Sequence, residues 1–119
     1  MSGYTYIFVR QDLSPEQIAV QSAHVTMQMG YEYARKGEGT DLANIHSKGS
    51  DPRETYFILV GVRNQEALLA VESILTKFDI SYERFIEPDI GDQVTAIATY
   101  PLNRENRGPL LAFNLLKIG

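Results

Sequence analysis

The sequence predicts a single α/β domain in which a mixed four-stranded β-sheet carries helices on both faces. Four segments rich in aromatic and β-branched residues alternate with segments of helical periodicity, in the order β-α-β-α-β-β-α. The chain has 119 residues, of which 44% are hydrophobic, so it can bury one sizeable core. We therefore expect residues 1–119 to form one domain.

The first half of the chain predicts a buried strand and a long helix. Residues 4–10 are almost wholly apolar, which is typical of a strand covered on both faces. Ser14, Pro15 and Gln17 form a helix start, with an N-cap, a proline at the first helical position and the glutamine of a capping box. The helix should run to about residue 36. Its buried face should hold Ile18, Ser22, Val25 and Met29, with Ala19, Ala23, Met27 and Gly30 packed beside them.

The rest of the chain predicts a loop followed by three strands and two helices. Residues 37–53 are polar and contain three glycines and a proline, so we expect a flexible loop within the domain. Asn64 is a suitable N-cap for the second helix. The predicted strands are 55–62, 80–86 and 93–100, and the predicted helices are 65–77 and 109–117.

Composition excludes several classes of protein. There is no cysteine, so neither a disulfide framework nor a zinc–thiolate site is possible. No apolar run approaches the roughly 20 residues of a membrane span, and the first ten residues do not read as a signal peptide. The formal net charge of −4 argues against tight RNA binding, because nucleic-acid binders normally have a basic excess. A local basic patch stays open, and its candidate residues are Arg35, Lys36, Lys48, Arg53, Arg104 and Arg107. We expect a cytoplasmic protein without a membrane partner.

Candidate chemistry is concentrated in two segments. Gln21, His24 and Gln28 are three or four residues apart, so they share one face of the first helix and form a polar row. Asp89 and Gly91 lie in a turn whose backbone amides can face a ligand. Both segments also have plain readings, because a lone histidine is commonly structural and Asp and Gly favour turns for conformational reasons.

No metal or cofactor site is expected. The sequence lacks a phosphate-binding glycine loop, paired metal-binding histidines, a nucleophile elbow and an EF-hand loop. His46 lies in the polar loop and is expected to be solvated. No spacing supports a metal site formed by His24, His46 and Asp89.

Taken in order along the chain, four segments resemble the type II peptidyl-tRNA hydrolase family. They are Val9-Arg10-Gln11-Asp12-Leu13, Gln21-Ser22-Ala23-His24, Pro88-Asp89-Ile90-Gly91 and Thr95-Ala96-Ile97-Ala98-Thr99-Tyr100-Pro101. The resemblance covers most of the chain apart from residues 36–53. It implies a four-stranded mixed sheet, frequent homodimers and hydrolysis of the ester between a peptide and the 3′ end of a tRNA.

The resemblance also implies a set of site residues. His24, Gln21, Asp89 and Thr95 match the family's histidine, glutamine, turn aspartate and strand threonine. In ester hydrolysis His24 would be the general base, with Asp89 orienting its ring. Gln21, Thr95 or the backbone N–H of Gly91 would donate to the oxyanion. Gln17, Gln28 and Gly91 are the expected substrate-binding residues.

Two departures from the family pattern leave the function open. Gln17 stands where the family usually has a lysine, which removes a cation that could hold phosphate. Only Asp92, Gln93 and Val94 separate Gly91 from Thr95, which is a shorter stretch than usual. Three hypotheses follow: a divergent peptidyl-tRNA hydrolase, a non-catalytic binding or regulatory relative, and a hydrolase of another small ester.

Overall fold

The computed structural model describes residues 3–37, 45–46 and 52–113 of the chain. Its regular elements are four strands and two long helices, and four single turns of 3₁₀ helix lie among the described residues. The elements are β1 (Gly3–Arg10), α1 (Pro15–Gly37), β2 (Thr55–Val62), α2 (Gln65–Lys77), β3 (Tyr82–Glu87) and β4 (Gln93–Thr99). The 3₁₀ turns are Pro52–Glu54, Pro88–Ile90, Arg104–Asn106 and Gly108–Leu110.

The sheet has the strand order β2-β1-β4-β3. β1 pairs in parallel with β2 over its whole length, whereas β4 pairs antiparallel with both β1 and β3. The two central strands are therefore β1 and β4, which come from opposite ends of the chain. Their burial agrees with this position, since β1 from Thr5 onward and β4 from Val94 onward are buried.

Each face of the sheet is covered by one helix. Ile18, Val25 and Met29 of α1 join a core cluster with alternate residues of β1 and β4, and Leu68, Val71 and Leu75 of α2 join the cluster on the opposite face. The alternation follows from the period of two along a strand, so successive residues of β1 enter different cores. The predicted fold class, a mixed four-stranded sheet with helices on both faces, is confirmed.

Both helix starts have the predicted caps. The Ser14 hydroxyl accepts from the Gln17 N–H at 3.2 Å, and the Gln17 side chain accepts from the Ser14 N–H at 3.3 Å, which is a reciprocal capping box. The Asn64 side chain accepts from the Ala67 N–H at 3.0 Å. These bonds satisfy amide groups that a helix start otherwise leaves without a partner.

The prediction that Ala19, Ala23, Met27 and Gly30 pack beside the buried face of α1 is wrong. All four are exposed, and 80% of the Met27 surface is accessible. An α-helix turns by about 100° per residue, so these positions point away from Ile18 and Val25. The small residues of α1 therefore do not serve its packing on the sheet.

The predicted last helix is replaced by a short turn where the chain is described. Gly108–Leu110 form a single 3₁₀ turn, Leu110 is buried, and the Phe113 ring packs edge-on against Phe8 with centroids 5.0 Å apart. Leu111, within the predicted helix, is 63% exposed. Residues 114–117 of the predicted helix lie outside the described residues.

His46 is buried, not solvated as predicted. Only 3% of its surface is accessible, Nε2 accepts from the Ser81 N–H at 2.9 Å, and Nδ1 lies 3.3 Å from the Pro101 carbonyl oxygen. Residue 46 also forms a β-bridge with Leu102 beyond the end of β4. Because the residues around His46 are polar, the sequence did not indicate that His46 anchors its segment to the sheet. The remainder of the predicted loop lies outside the described residues, except for Ile45, which packs against the core, and Pro52 and Arg53.

Membrane insertion through a helix finds no support in the part of the chain that the structure describes, because neither α1 nor α2 is apolar enough over the required length.

Candidate functional site

A β-bulge at Thr95 positions one side chain of the candidate site. Phe85 and Ile86 are consecutive on β3, yet their partners on β4 are Ala96 and Val94. Thr95 is therefore an extra residue in β4. Val94 joins the core under α2, whereas Thr95 reaches α1 and Ala96 joins the core under α1. A regular strand would have turned either Thr95 or Ala96 away from α1, so the bulge aims the threonine at that helix.

The partner of Thr95 is the side chain of Gln21 on α1. The Thr95 hydroxyl donates to Gln21 Oε1 at 2.7 Å, and Gln21 Nε2 donates to Glu87 Oε1 at 2.9 Å. Gln21 is only 5% exposed and Thr95 is fully buried. Because a carboxylate accepts hydrogen bonds and a hydroxyl can donate one, the NH₂ group of Gln21 faces Glu87 and its amide oxygen faces Thr95.

Gln21 lies at a cleft between the start of α1 and the turn after β3. The cavity measures about 230 Å³ and is lined by Leu13, Glu16, Gln17, Val20, Gln21, Glu87, Asp89 and Ile90. Two of the predicted site residues, Gln17 and Asp89, thus meet Gln21 there. Three carboxylates line the cleft, and no lysine or arginine is among its described lining residues. The cleft therefore favours a cationic or neutral group over a phosphate.

His24 lies one helical turn beyond Gln21 and outside this cavity. Its ring is exposed and stacks on Phe85 of β3, with centroids 4.7 Å apart and an interplanar angle of 10°. The structure shows no contact between His24 and Asp89. They lie on the same side of the sheet, with Gln21 and Glu87 between them along the groove where α1 meets β3. The expected orientation of the imidazole by Asp89 is thus absent from this arrangement.

Other predicted binding residues are already engaged within the protein. Gln28 Nε2 donates to Glu83 Oε1 at 3.1 Å and to the Arg84 carbonyl oxygen at 3.0 Å, so both amide hydrogens are used to fasten α1 to β3. The Gly91 N–H donates to the Pro88 carbonyl oxygen at 3.3 Å inside the turn. Gly91 has a φ of 75°, a left-handed conformation that closes the 3₁₀ turn and favours glycine.

Glu83 continues the polar row but has a structural role. It accepts from the Tyr100 hydroxyl and from Gln28, and it pairs with Lys36 at 3.4 Å. Burial tends to raise the pKa of Glu83, but these hydrogen bonds and the Lys36 charge outweigh it, so the pKa is lowered. Burial and the neighbouring carboxylate raise the pKa of Tyr100. Glu83 stays ionised and Tyr100 protonated, which leaves no proton to exchange near neutral pH.

Arg10 and Asp12, from the first segment of the family resemblance, form a fork-like ion pair. Arg10 Nε and Nη2 donate to the two carboxylate oxygens of Asp12 at 2.9 and 2.8 Å, while Nη1 reaches Gln93 Oε1 at 2.7 Å and the Val94 carbonyl at 3.3 Å. Hydrogen bonding to Asp12 raises the pKa of Arg10 and lowers that of Asp12. The pair joins the end of β1 to the start of β4 next to the bulge.

The described residues of the cleft do not form a metal-ligand cluster. Among the described residues no group of three histidine, cysteine, aspartate or glutamate side chains is placed to hold an ion. His24 stacks on the middle of β3, and His46 lies beyond the end of β4 that is opposite to Asp89.

Glu87 lies at the centre of the site, although no sequence pattern predicted a role for it. Glu87 binds Gln21 through Oε1 and caps the turn through Oε2, which lies 3.5 Å from the Asp89 N–H. Its position directly before Pro88 was a usable signal, because a side chain there can cap a turn that begins with proline. Its pairing with Gln21 depends on how α1 lies along β3, which local sequence does not specify.

Comparisons with known proteins show the fold alone and do not identify a family or a function. No protein-family model matches the sequence, and no match was found among curated proteins. A solved structure of protein Atu0240 from Agrobacterium tumefaciens strain C58, described as of unknown function, is similar with a TM-score of 0.63. The similarity covers 98% of this chain and 99% of that one at 16% sequence identity. At this identity the chain shares an α/β fold with Atu0240, and no family follows from it.

Proposed function

We propose that the protein is a divergent hydrolase of aminoacyl esters, of the peptidyl-tRNA hydrolase type. The observation that carries this proposal is the Gln21 carboxamide, buried and held on both sides by Thr95 and Glu87 at the mouth of a cleft. The strand bulge and two hydrogen bonds hold the buried Gln21 amide in place. Its N–H donor is therefore fixed before a substrate binds. Such preorganised donors stabilise the charge that develops in acyl transfer.

The chemistry uses one water and no covalent intermediate. Water attacks the ester carbonyl carbon while His24 removes a proton from it, which gives a tetrahedral oxyanion. Gln21 Nε2 carries a second N–H besides the one given to Glu87, and this N–H donates to the oxyanion. The carbon–oxygen bond to the alcohol then breaks, and the proton on His24 passes to the leaving oxygen. The products are a free acid and the alcohol.

The charge of the cleft favours one end of the ester substrate inside the cavity and the other end outside it. Glu16, Glu87 and Asp89 line the cavity, so it suits a protonated amino group on the acyl side of the ester. A tRNA would have to lie outside this cavity, towards His24, because its phosphates are repelled by the carboxylates. Gln17, in the position of the usual family lysine, adds no charge to this balance.

A non-catalytic binding protein is the second candidate, and one observation favours it. His24 stacks on Phe85, and no carboxylate among the described residues contacts its ring. An aromatic pair at the end of an acidic cleft can bind a flat cationic ligand without any reaction. The same geometry is also compatible with hydrolysis of smaller esters. The substrates tested should therefore include both peptidyl-tRNA and a small aminoacyl ester.

The test is release of free tRNA from peptidyl-tRNA by the wild-type chain, His24→Ala and His24→Phe. His24→Phe keeps a flat ring against Phe85 and removes the ring nitrogens. We expect both variants to lose about 10²- to 10⁴-fold in rate, as for removal of a general base. A parallel assay with a small aminoacyl ester separates loss of tRNA contacts from loss of chemistry.

Gln21→Ala and Gln28→Ala form a matched pair on the same helix. Removing an oxyanion donor costs about 10²- to 10³-fold in kcat, so Gln21→Ala should be strongly impaired and Gln28→Ala nearly normal. Wild-type protein that is folded yet inactive on both esters would reject the hydrolase proposal in favour of the binding protein. Activity that survives in His24→Phe would remove His24 as the base.

A further inference from the structure

The polar row of α1 meets β3 in three regularly spaced contacts. Successive residues of the row are about 5 Å apart along the helix, and alternate residues of a strand are about 7 Å apart, so the two spacings nearly match over this short distance. Each side chain of the row therefore lies opposite one residue of β3. The three contacts are Gln21 with Glu87, His24 with Phe85 and Gln28 with Glu83.

The middle contact differs in chemistry from the two that flank it. In both outer contacts a glutamine amide donates to a carboxylate of β3, at 2.9 and 3.1 Å. In the middle contact the phenyl ring of Phe85 lies flat against the imidazole of His24, with ring centroids 4.7 Å apart and an interplanar angle of 10°. Phe85 thus occupies the position from which a carboxylate of β3 would orient a histidine base.

Phe85 is itself held in place by the sheet. Its side chain is half-buried and packs against the core cluster under α1. Its backbone pairs with Ala96, directly beside the bulge at Thr95. The same irregularity of β4 therefore lies next to both strand residues that contact the polar row here, Thr95 under Gln21 and Phe85 under His24.

We propose that Phe85 is the positioning residue of the His24 base. An exposed side chain changes rotamer within picoseconds to nanoseconds, whereas a general base must stay within hydrogen-bond reach of the attacking water. His24 is exposed, and no hydrogen bond to its ring is made within the part of the chain that the structure describes. Stacking on Phe85 fixes the plane of the imidazole and leaves the nitrogens at the ring edge open to water.

This role rests on the proposed hydrolase function and predicts which kinetic constant changes. Phe85 is not among the described residues that line the acidic cleft, so it does not hold the acyl side of the ester. Orientation of the base matters only when the proton moves. Loss of the ring should therefore lower kcat and leave the KM of a small aminoacyl ester unchanged.

The kinetic test compares Phe85→Leu and Phe85→Tyr with the wild-type chain. We expect Phe85→Leu to lower kcat by between about 10- and 10²-fold, the range that displacement of a catalytic group can reach, and Phe85→Tyr to restore most of it because it keeps the ring. Phe57→Leu is the matched control, because it makes the same change on the opposite edge strand, β2, where the ring is 49% exposed. It should leave kcat at the wild-type value.

The NMR signals of the His24 ring test the contact without any activity. Protons above the face of a phenyl ring are shifted upfield by its ring current. The chain has two histidines, so the spectrum of His46→Gln assigns the His24 signals. We expect the upfield shift in the wild-type chain and in Phe85→Tyr, and its loss in Phe85→Leu.

Folding of each variant is checked by circular dichroism and a thermal melt. Phe85→Met fills similar volume without a ring, so it replaces Phe85→Leu if that variant does not fold. A ring-free variant that keeps the wild-type kcat, raises KM instead of lowering kcat, or retains the upfield His24 shift would overturn the proposal. A wild-type chain that is inactive on both esters would overturn the proposed function and this role with it, so wild-type activity distinguishes the two failures.

Discussion

Gln21 and Gln28 show how identical side chains on one helix face acquire different roles. Both lie on the side of α1 that meets β3. Gln28 donates both amide hydrogens, to Glu83 and to the Arg84 carbonyl, so its role is to hold α1 against β3. Gln21 gives one hydrogen to Glu87 and accepts from the Thr95 hydroxyl, so these two bonds leave its second N–H available, as the proposed hydrolase requires. The difference comes from β3 and β4, not from the helix.

The Thr95–Gln21 hydrogen bond should be measurable as stability. Thr95→Val removes the hydroxyl and leaves the buried Gln21 oxygen without its donor, which costs about 1–3 kcal/mol in the free energy of unfolding. Thr5→Val is the matched control, because the Thr5 hydroxyl is fully buried and has no hydrogen-bond partner in the described structure. The same substitution there should be neutral or stabilising. Urea denaturation of both variants checks this, and equal losses would contradict the assignment.

His46 should make stability depend on pH. Burial lowers the pKa of His46 below its usual value, although hydrogen bonding to backbone groups at Pro101 and Tyr100 opposes the shift. The unfolded chain, with a histidine pKa near 6.5, then binds more protons than the folded one below neutral pH. The stabilisation is therefore present above about pH 6.5 and is lost as the pH falls through the folded pKa.

The measurement is the free energy of unfolding between pH 7.5 and pH 5 for wild type and His46→Gln. Carboxylates titrate in both proteins, so the comparison isolates the imidazole. We expect His46→Gln to show a shallower fall than wild type, because glutamine cannot be protonated. A slope that is unchanged in His46→Gln would show that the ring stays neutral for another reason.

At the scale of elements, the helix caps carry a separate prediction. Asn64→Ala leaves the Ala67 N–H without the side-chain acceptor and should cost about 1 kcal/mol. Ser73→Ala on the exposed side of the same helix should be neutral or slightly stabilising, since alanine is the better helix former. Thermal unfolding of the two variants tests the difference. A loss in Ser73→Ala as large as in Asn64→Ala would mean that α2 is limited by something other than its cap.

Local signals predicted the elements well and their surfaces less well. The bounds of α1, β2 and α2 follow from Ser14-Pro15, Asn64 and the apolar periodicity, which act within a few residues. The burial of His46 and the exposure of Met27 depend on what covers each residue from elsewhere in the chain. The bulge at Thr95 also depends on strand register, so the pairing of Gln21 with Thr95 and Glu87 could not be derived from spacing.

The whole molecule places its two kinds of surface on opposite flanks of one helix. On the β3 side of α1 lies the polar row with Gln21, Gln28 and the acidic cleft, and on the β2 side lies the apolar groove with Gly30 and Phe57.

The central pairing of β1 with β4 has a consequence for how the protein is made. Ile7 pairs with Ala98, so the middle of the sheet joins residues from nearly opposite ends of the chain. At synthesis rates of roughly 5–20 residues per second, β4 is synthesised on the order of 10 s after β1. During that time β1, among the most apolar segments of the chain, can be covered by β2, α1 and α2 but not by its neighbour β4. A pause or truncation before residue 93 would leave this strand as a nascent-chain target for chaperones.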